Sequence, residues 1–201
     1  DHFRTGLEAA RASALAAGQA RSLVDAVIAE YGQLDLLVNN AGVTRPIPHA
    51  DLAAATGEVW REILGLNVIG TWQTTVAAMP HLQKSANGHV VNISSLFGLV
   101  SMPGQSMYNA TKYAVRGMTE ALREEMLIAG HPVGVTVVHP GGIKTAIARN
   151  ARVSAKENKE ETARLFDEKL AKMTPERAAE IIVSGILKNK ARVLVGLDAH
   201  A

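Results

Sequence analysis

The sequence predicts an α/β protein: a doubly wound, Rossmann-like parallel sheet with helices on both faces, in one domain spanning residues 1–201. Two observations predict it. Short apolar runs alternate with amphipathic helical segments along the whole chain. Those runs are rich in Val, Ile and Leu with little polar alternation, the pattern of strands buried on both faces.

The elements follow in order. Residues 7–17 are Ala-rich and read as a helix stopped by Gly18. Residues 21–31 form a second amphipathic helix, with Leu23, Val24, Val27 and Ile28 apolar, closed by Gly32. Residues 35–39 read as a buried strand. A long helix is expected over 58–79, ended by Pro80, because proline lacks the N–H that helix continuation needs. Residues 89–94 are the next strand, and 106–129 a strong helix closed by Gly130. Residues 133–138 are a β-branched strand running into Pro140-Gly141-Gly142. Residues 146–172 are charged, with helical stretches. Residues 175–187 read as a helix and 192–195 as a last short strand.

Composition excludes several functions. The net charge is +2, from 21 Lys and Arg against 19 Asp and Glu, and no basic run occurs, so a nucleic-acid surface is not expected. No apolar run approaches the ~20 residues of a membrane-spanning helix, and the stretch beginning at Asp1 has no signal-peptide pattern. There are no cysteines, so disulfides and thiolate metal sites are impossible, and we expect a cytoplasmic protein. The seven histidines form no zinc-type pair, so no metal is expected.

Ligands of parallel sheets bind beyond the carboxyl ends of the strands, so the residues there matter most. Asn39-Asn40-Ala41-Gly42 follows the first strand; small residues allow close ligand approach, although a plain Asn/Gly turn reads the same. Ser94 and Ser95 follow the second. A hydroxyl there can donate to a substrate oxygen, or simply bond its own backbone. Tyr108 and Lys112 are four apart on a helix and share a face. The ammonium would lower the phenol's pKa from about 10 toward usable acid–base range. Alone, that pair occurs by chance. Pro140-Gly141-Gly142-Ile143-Lys144-Thr145 follows the third strand and could equally be a surface turn.

Together and in this order, these pieces resemble the short-chain dehydrogenase/reductase family. The match rests on Asn39-Asn40-Ala41-Gly42, Asn67 within Leu66-Asn67-Val68-Ile69-Gly70, and Ser95 thirteen residues before Tyr108. Tyr108-x-x-x-Lys112 and Pro140-Gly141-x-Ile143-x-Thr145 complete it. The resemblance implies an NAD(P)-dependent oxidoreductase moving a hydride between nicotinamide and an alcohol or ketone. Tyr108 would be the general acid/base, Lys112 would bond the nicotinamide ribose and hold the phenol's pKa down, and Ser95 would orient the carbonyl. Asn67 would anchor a water joining Lys112 to solvent. Asn39, Ala41 and Gly42 would line the adenosine side, while Pro140, Gly141, Ile143 and Thr145 would hold the carboxamide and phosphate end. Asp1, placed where the family's second strand ends in an acidic residue, would favour NAD over NADP.

Apolar residues after Ser95 (Leu96, Phe97, Leu99, Val100, Met102) and after the Pro-Gly turn (Ile143, Ala146, Ile147) suggest a small apolar alcohol or ketone, with 148–172 as a lid. A homo-oligomer, tetramer or dimer, is implied, with Trp72, Val76, Val115 and Met118 available for a helical interface. The alternative is a non-catalytic nucleotide-sensing or scaffold protein of the same fold. One departure stands out: the family's T-G-x-x-x-G-x-G turn is not here. Strands 1 and 3 of the order 3-2-1-4-5-6 are also missing, which leaves 35–39 as an exposed apolar edge. We therefore expect the biological chain to carry a glycine-rich turn upstream of Asp1 and a strand between Gly18 and Arg21.

Overall fold

A computed structural model describes residues 17–147, 149–151 and 158–200. Its sheet has four parallel strands: β1 (Leu36–Asn39), β2 (His89–Ile93), β3 (Gly134–Pro140) and β4 (Arg192–Val195). They lie in the order β1-β2-β3-β4, each paired in register with the next. The strands expected from sequence are all present to within two residues. The first helix, α1, is Ala17–Tyr31. Gly18 lies inside it and stops nothing; most of the helix expected over 7–17 falls outside the described residues.

Side chains along each strand alternate between faces, and the sheet has two apolar cores accordingly. On one face, Val90 and Val135 pack against α1 (Val24), α3 (Thr71–Leu82; Ala78, Leu82) and α4 (Ser106–Ile128; Leu122, Met126). On the other, Val91, Val138, Val193 and Val195 pack against α5 (Pro175–Leu187; Ala178, Ile181, Ile182). Among the described residues nothing pairs with the outer edge of β1. Leu36 and Val38 are exposed there, the apolar edge that the sequence led us to expect.

Two expectations are corrected. The helix read as 58–79 is three pieces: α2 (Gly57–Leu64), a wide π-helical stretch Gly65–Gly70, and α3. Pro80 lies within α3, which runs on to Leu82. A proline removes only its own N–H, and the turn beyond it closes normally, Gln83 N–H donating to Met79 O at 2.9 Å. Val115 is not available for an interface. It is 1% exposed, because the stripe of Val115, Thr119, Leu122 and Met126 turns α4 toward the sheet. Trp72 and Val76 are exposed as expected, joined by Ile69 and Tyr113. Among the described residues no helix is long and apolar enough to cross a membrane.

Candidate active site

The carboxyl ends of β1, β2 and β3 bring most of the expected site residues together. Tyr108 and Lys112 sit in the first two turns of α4 on its inward face, both buried (7% and 5% exposed). The Lys112 amine donates to Ile93 O at 2.9 Å, its one hydrogen bond among the described residues, and stands 5.5 Å from the centre of the Tyr108 ring. Ser95, on the turn after β2, stands near enough to the Tyr108 phenol for its hydroxyl to favour the ionised form. The same hydroxyl accepts from Phe97 N–H at 3.2 Å, which fixes its direction.

The turn carrying Ser95 is fastened on two sides. Ser94 N–H donates to Val138 O of β3 and the Ser94 hydroxyl donates to Lys112 O of α4, each at 2.8 Å. Gly98 lets the turn lie directly on α4, since any Cβ there would strike Ser94 Oγ and, at 2.8 Å, Lys112 O.

Asn67 clamps the opposite wall. Its Oδ1 accepts from Val43 N–H and its Nδ2 donates to Val43 O, both at 2.9 Å, so the side chain pairs with the loop backbone like a neighbouring strand. Nδ2 also donates to Thr111 Oγ1 at 3.0 Å. The π-helical widening at 65–70 is where this residue turns inward, and such widenings recur at functional sites. Gly42 sits against it: a Cβ there would lie 3.3 Å from Asn67 Oδ1 and 3.6 Å from the Lys112 amine. Backbone and amine thus face one another across a small space.

Asn39 does something else with its side chain. Thr74 Oγ1 donates to its Oδ1 at 2.6 Å, and its Nδ2 donates to Thr75 Oγ1 (3.0 Å) and Asn92 Oδ1 (2.8 Å). Asn92 in turn donates to Thr119 of α4 at 2.9 Å. This polar row runs from α3 beneath two strand ends to α4, and it leaves only the Asn39 backbone for any ligand. Ala41 is exposed. The glycines after β3 seat the chain on itself: Gly141 abuts the Asp198 carboxylate, which accepts Gly142 N–H at 2.8 Å, and Gly142 abuts Leu170 O. Pro140 ends β3, Ile143 bridges to Met173, and Thr145 N–H donates to Ile143 O at 2.8 Å. Asp1 lies outside the described residues.

Apolar side chains surround the phenol. Phe97 meets the Tyr108 ring edge-on at 6.2 Å, and Ile47, Ile63, Met107, Trp60 and Ile147 complete the cluster. Arg45, buried beside it, is neutralised by an ion pair with Glu62.

The electrostatics differ from the sequence expectation. Burial pushes the Tyr108 phenol up to about 12, with the Ser95 hydroxyl pulling it the other way. Burial lowers Lys112 to about 8. The sequence expects Lys112 to hold the phenol down; instead burial and Ser95 set the phenol, and Lys112 is itself stripped of water. Sequence reasoning missed Thr111, Asp198 and His139. Only His139 left a signal, an imidazole at the end of a β-branched strand.

A family model described as short chain dehydrogenase matches residues 8–156. Over 177 residues the chain is 50% identical to a Mycobacterium tuberculosis protein named "Putative oxidoreductase SadH", covering 88% of this chain and 63% of that one. It is 37% identical over 139 residues to the 3-oxoacyl-(acyl-carrier-protein) reductase FabG of Thermotoga maritima, covering 69% of this chain and 54% of that one. The fold matches a short-chain dehydrogenase/reductase from Burkholderia phymatum crystallised with NAD, at TM-score 0.79 and 26% identity, covering 90% of this chain and 68% of that one.

The two shifted pKa values fix a stability profile. Lys112 sits below its ordinary 10.5, so between pH 8 and 10.5 the unfolded chain holds a proton that the folded chain has lost. Stability should therefore rise with pH across that window, by roughly 3 kcal/mol at about 1.4 kcal/mol per pKa unit. Tyr108 is raised, so above pH 10 the unfolded phenol ionises first and stability should fall toward pH 12. Urea unfolding between pH 7.5 and about 11.5 measures both limbs. The rise should vanish in Lys112→Met; identical curves for the two proteins would contradict a desolvated amine.

Proposed function

The chain belongs to the short chain dehydrogenase family, and from that premise we propose that it is an NAD(P)-dependent oxidoreductase moving a hydride between nicotinamide and a small apolar alcohol or ketone. The observation carrying this is the convergence of the Tyr108 phenol, the Ser95 hydroxyl and the Lys112 amine at the strand ends, beside the Gly42 backbone. The chain spans 63% of the Mycobacterium relative and 54% of the Thermotoga one.

The residues present fit a nicotinamide nucleotide. Lys112 is a buried amine with donors to spare, facing the Gly42 backbone, where a Cβ would stand 3.6 Å from the amine. Lys112, the backbone of 39–42 and the turn at Pro140, Gly141, Ile143 and Thr145 would hold it. When bound, the nucleotide supplies the hydride, which no side chain can. Tyr108 gives its proton to the carbonyl oxygen as that oxygen gains charge. A phenol near 12 keeps its proton at neutral pH, the form that reduction uses. Ser95 accepts from Phe97 N–H through one lone pair and keeps its own proton to donate to the same oxygen. Asn67 keeps the wall beside Lys112 in place. Phe97, Ile147 and the cluster around Tyr108 favour an apolar substrate, and Arg45 is already neutralised by Glu62.

Three measurements test this reading. Consumption of NADH with acetophenone, cyclohexanone and ethyl acetoacetate reports turnover. Tyr108→Phe should lower kcat by at least about 10²-fold while the melting temperature and NADH binding hold; a smaller loss would remove Tyr108 from the proton step. We further propose NAD over NADP, on the strength of Asp1: kcat/KM should be higher with NADH than with NADPH, and the reverse order would overturn it. Finally, the exposed row of Ile69, Trp72, Val76 and Tyr113 on neighbouring helices supports a homo-oligomer, tetramer or dimer. Light scattering at micromolar concentration should give a multiple of the chain mass; a monomer would count against it.

A further inference from the structure

We infer that His139 is a positioning residue for Ser95, acting through the Ser95 carbonyl; this rests on the proposed role of Ser95. His139 is fully buried, on the face of β3 that carries Val135 and Val137. It is the last residue before the Pro140-Gly141 turn, and its Nδ1 lies 2.8 Å from Ser95 O. A carbonyl oxygen can only accept, so Nδ1 carries the proton. Gly98 N–H donates to the same carbonyl at 3.0 Å, which leaves it satisfied if the imidazole is removed.

The arrangement divides the work of holding Ser95. Phe97 N–H aims the hydroxyl. Ser94 bonds β3 and α4 just before it. His139 fixes the peptide that follows Ser95, the one that swings the hydroxyl toward or away from Tyr108. It also joins Ser95 rigidly to the turn at 140–145, so the two sides of the proposed reaction site share one anchor.

With Nδ1 protonated and the ring neutral, Nε2 is a bare acceptor; it is buried and has no partner among the described residues. Burial favours that neutral form. The charged groups that act on the ring are Arg192 on β4 and Arg116 and Glu120 on α4; the arginines also oppose protonation, whereas Glu120 and the Ser95 bond favour it. An unpaired buried acceptor costs stability, so a leucine of similar bulk should fold at least as well. A histidine serving only the fold would behave in the opposite way.

The test uses the full-length protein and the ketone of the three above that it turns over fastest. His139→Leu should lower kcat about ten- to a hundredfold, the scale of a small misplacement of a reacting group. KM for NADH should stay within about twofold and the melting temperature should not fall, as expected when orientation rather than binding is lost. His139→Asn returns a donor near the Nδ1 position and should recover kcat to within about threefold of wild type. In the wild-type protein, nitrogen-15 NMR should show the neutral Nδ1–H tautomer. A His139→Leu enzyme with wild-type kcat would overturn the inference, as would an asparagine variant no better than leucine. Should the leucine variant not fold, the tautomer and the asparagine variant decide; an Nε2–H tautomer overturns it. Tyr108→Phe run alongside keeps the two readings apart. Full activity there defeats the proposed function, whereas an inactive Tyr108→Phe with a fully active His139→Leu defeats only the positioning role.

Discussion

A lysine amine held beneath the surface is the constraint that organises this structure. Burying Lys112 strips it of water, and among the described residues the protein returns a single acceptor, Ile93 O at the end of β2. That bond requires α4 to lie close over the strand ends. Gly98 permits the approach, and the bond from Ser94 to Lys112 O holds it. The space left beside the amine is bounded by Gly42, whose place is set by the Asn67 clamp on Val43. Each device serves the same end: a desolvated donor aimed at a gap lined by backbone.

The surroundings split into a polar and an apolar half. Below the strand ends, the row Thr74–Asn39–Asn92–Thr119 satisfies its amides internally and ties α3 and α4 to β1 and β2. Beside Tyr108, the cluster of Ile47, Trp60, Phe97 and Ile147 excludes water, and this burial is what raises the phenol's pKa. A phenol in dry surroundings with one hydroxyl neighbour is a poor tyrosinate and a well-held proton donor. The same dryness weakens Lys112 as a cation, so the two groups cannot be assigned independently.

Much of this was legible in the chain. Apolar runs of Val, Leu and Ile marked all four strands; β2 and β3 are buried almost throughout and have little polar alternation to disguise them. The i, i+4 spacing of Tyr108 and Lys112 placed both on one helical face. What misled were local rules that tertiary contacts override. Pro80 reads as a stop, yet the helix needs only its later bonds intact. Val115 reads as a spare apolar residue, yet the sheet claims it. Asn39 reads as a ligand contact, yet its amide finds partners on α3 and β2, thirty or more residues away in sequence.

The sequence by itself determined the order of elements, the parallel sheet and the identity of the groups at its carboxyl edge, because periodicity and strand composition are local properties. Only the tertiary structure decided how those groups behave. Whether a lysine lowers a phenol's pKa depends on how much water each retains. What the backbone of a glycine meets depends on what stands across from it, as Asp198 does at Gly141. Whether a histidine matters depends on what its two nitrogens meet. Those are distances between residues far apart in the chain, and no pattern along the chain records them.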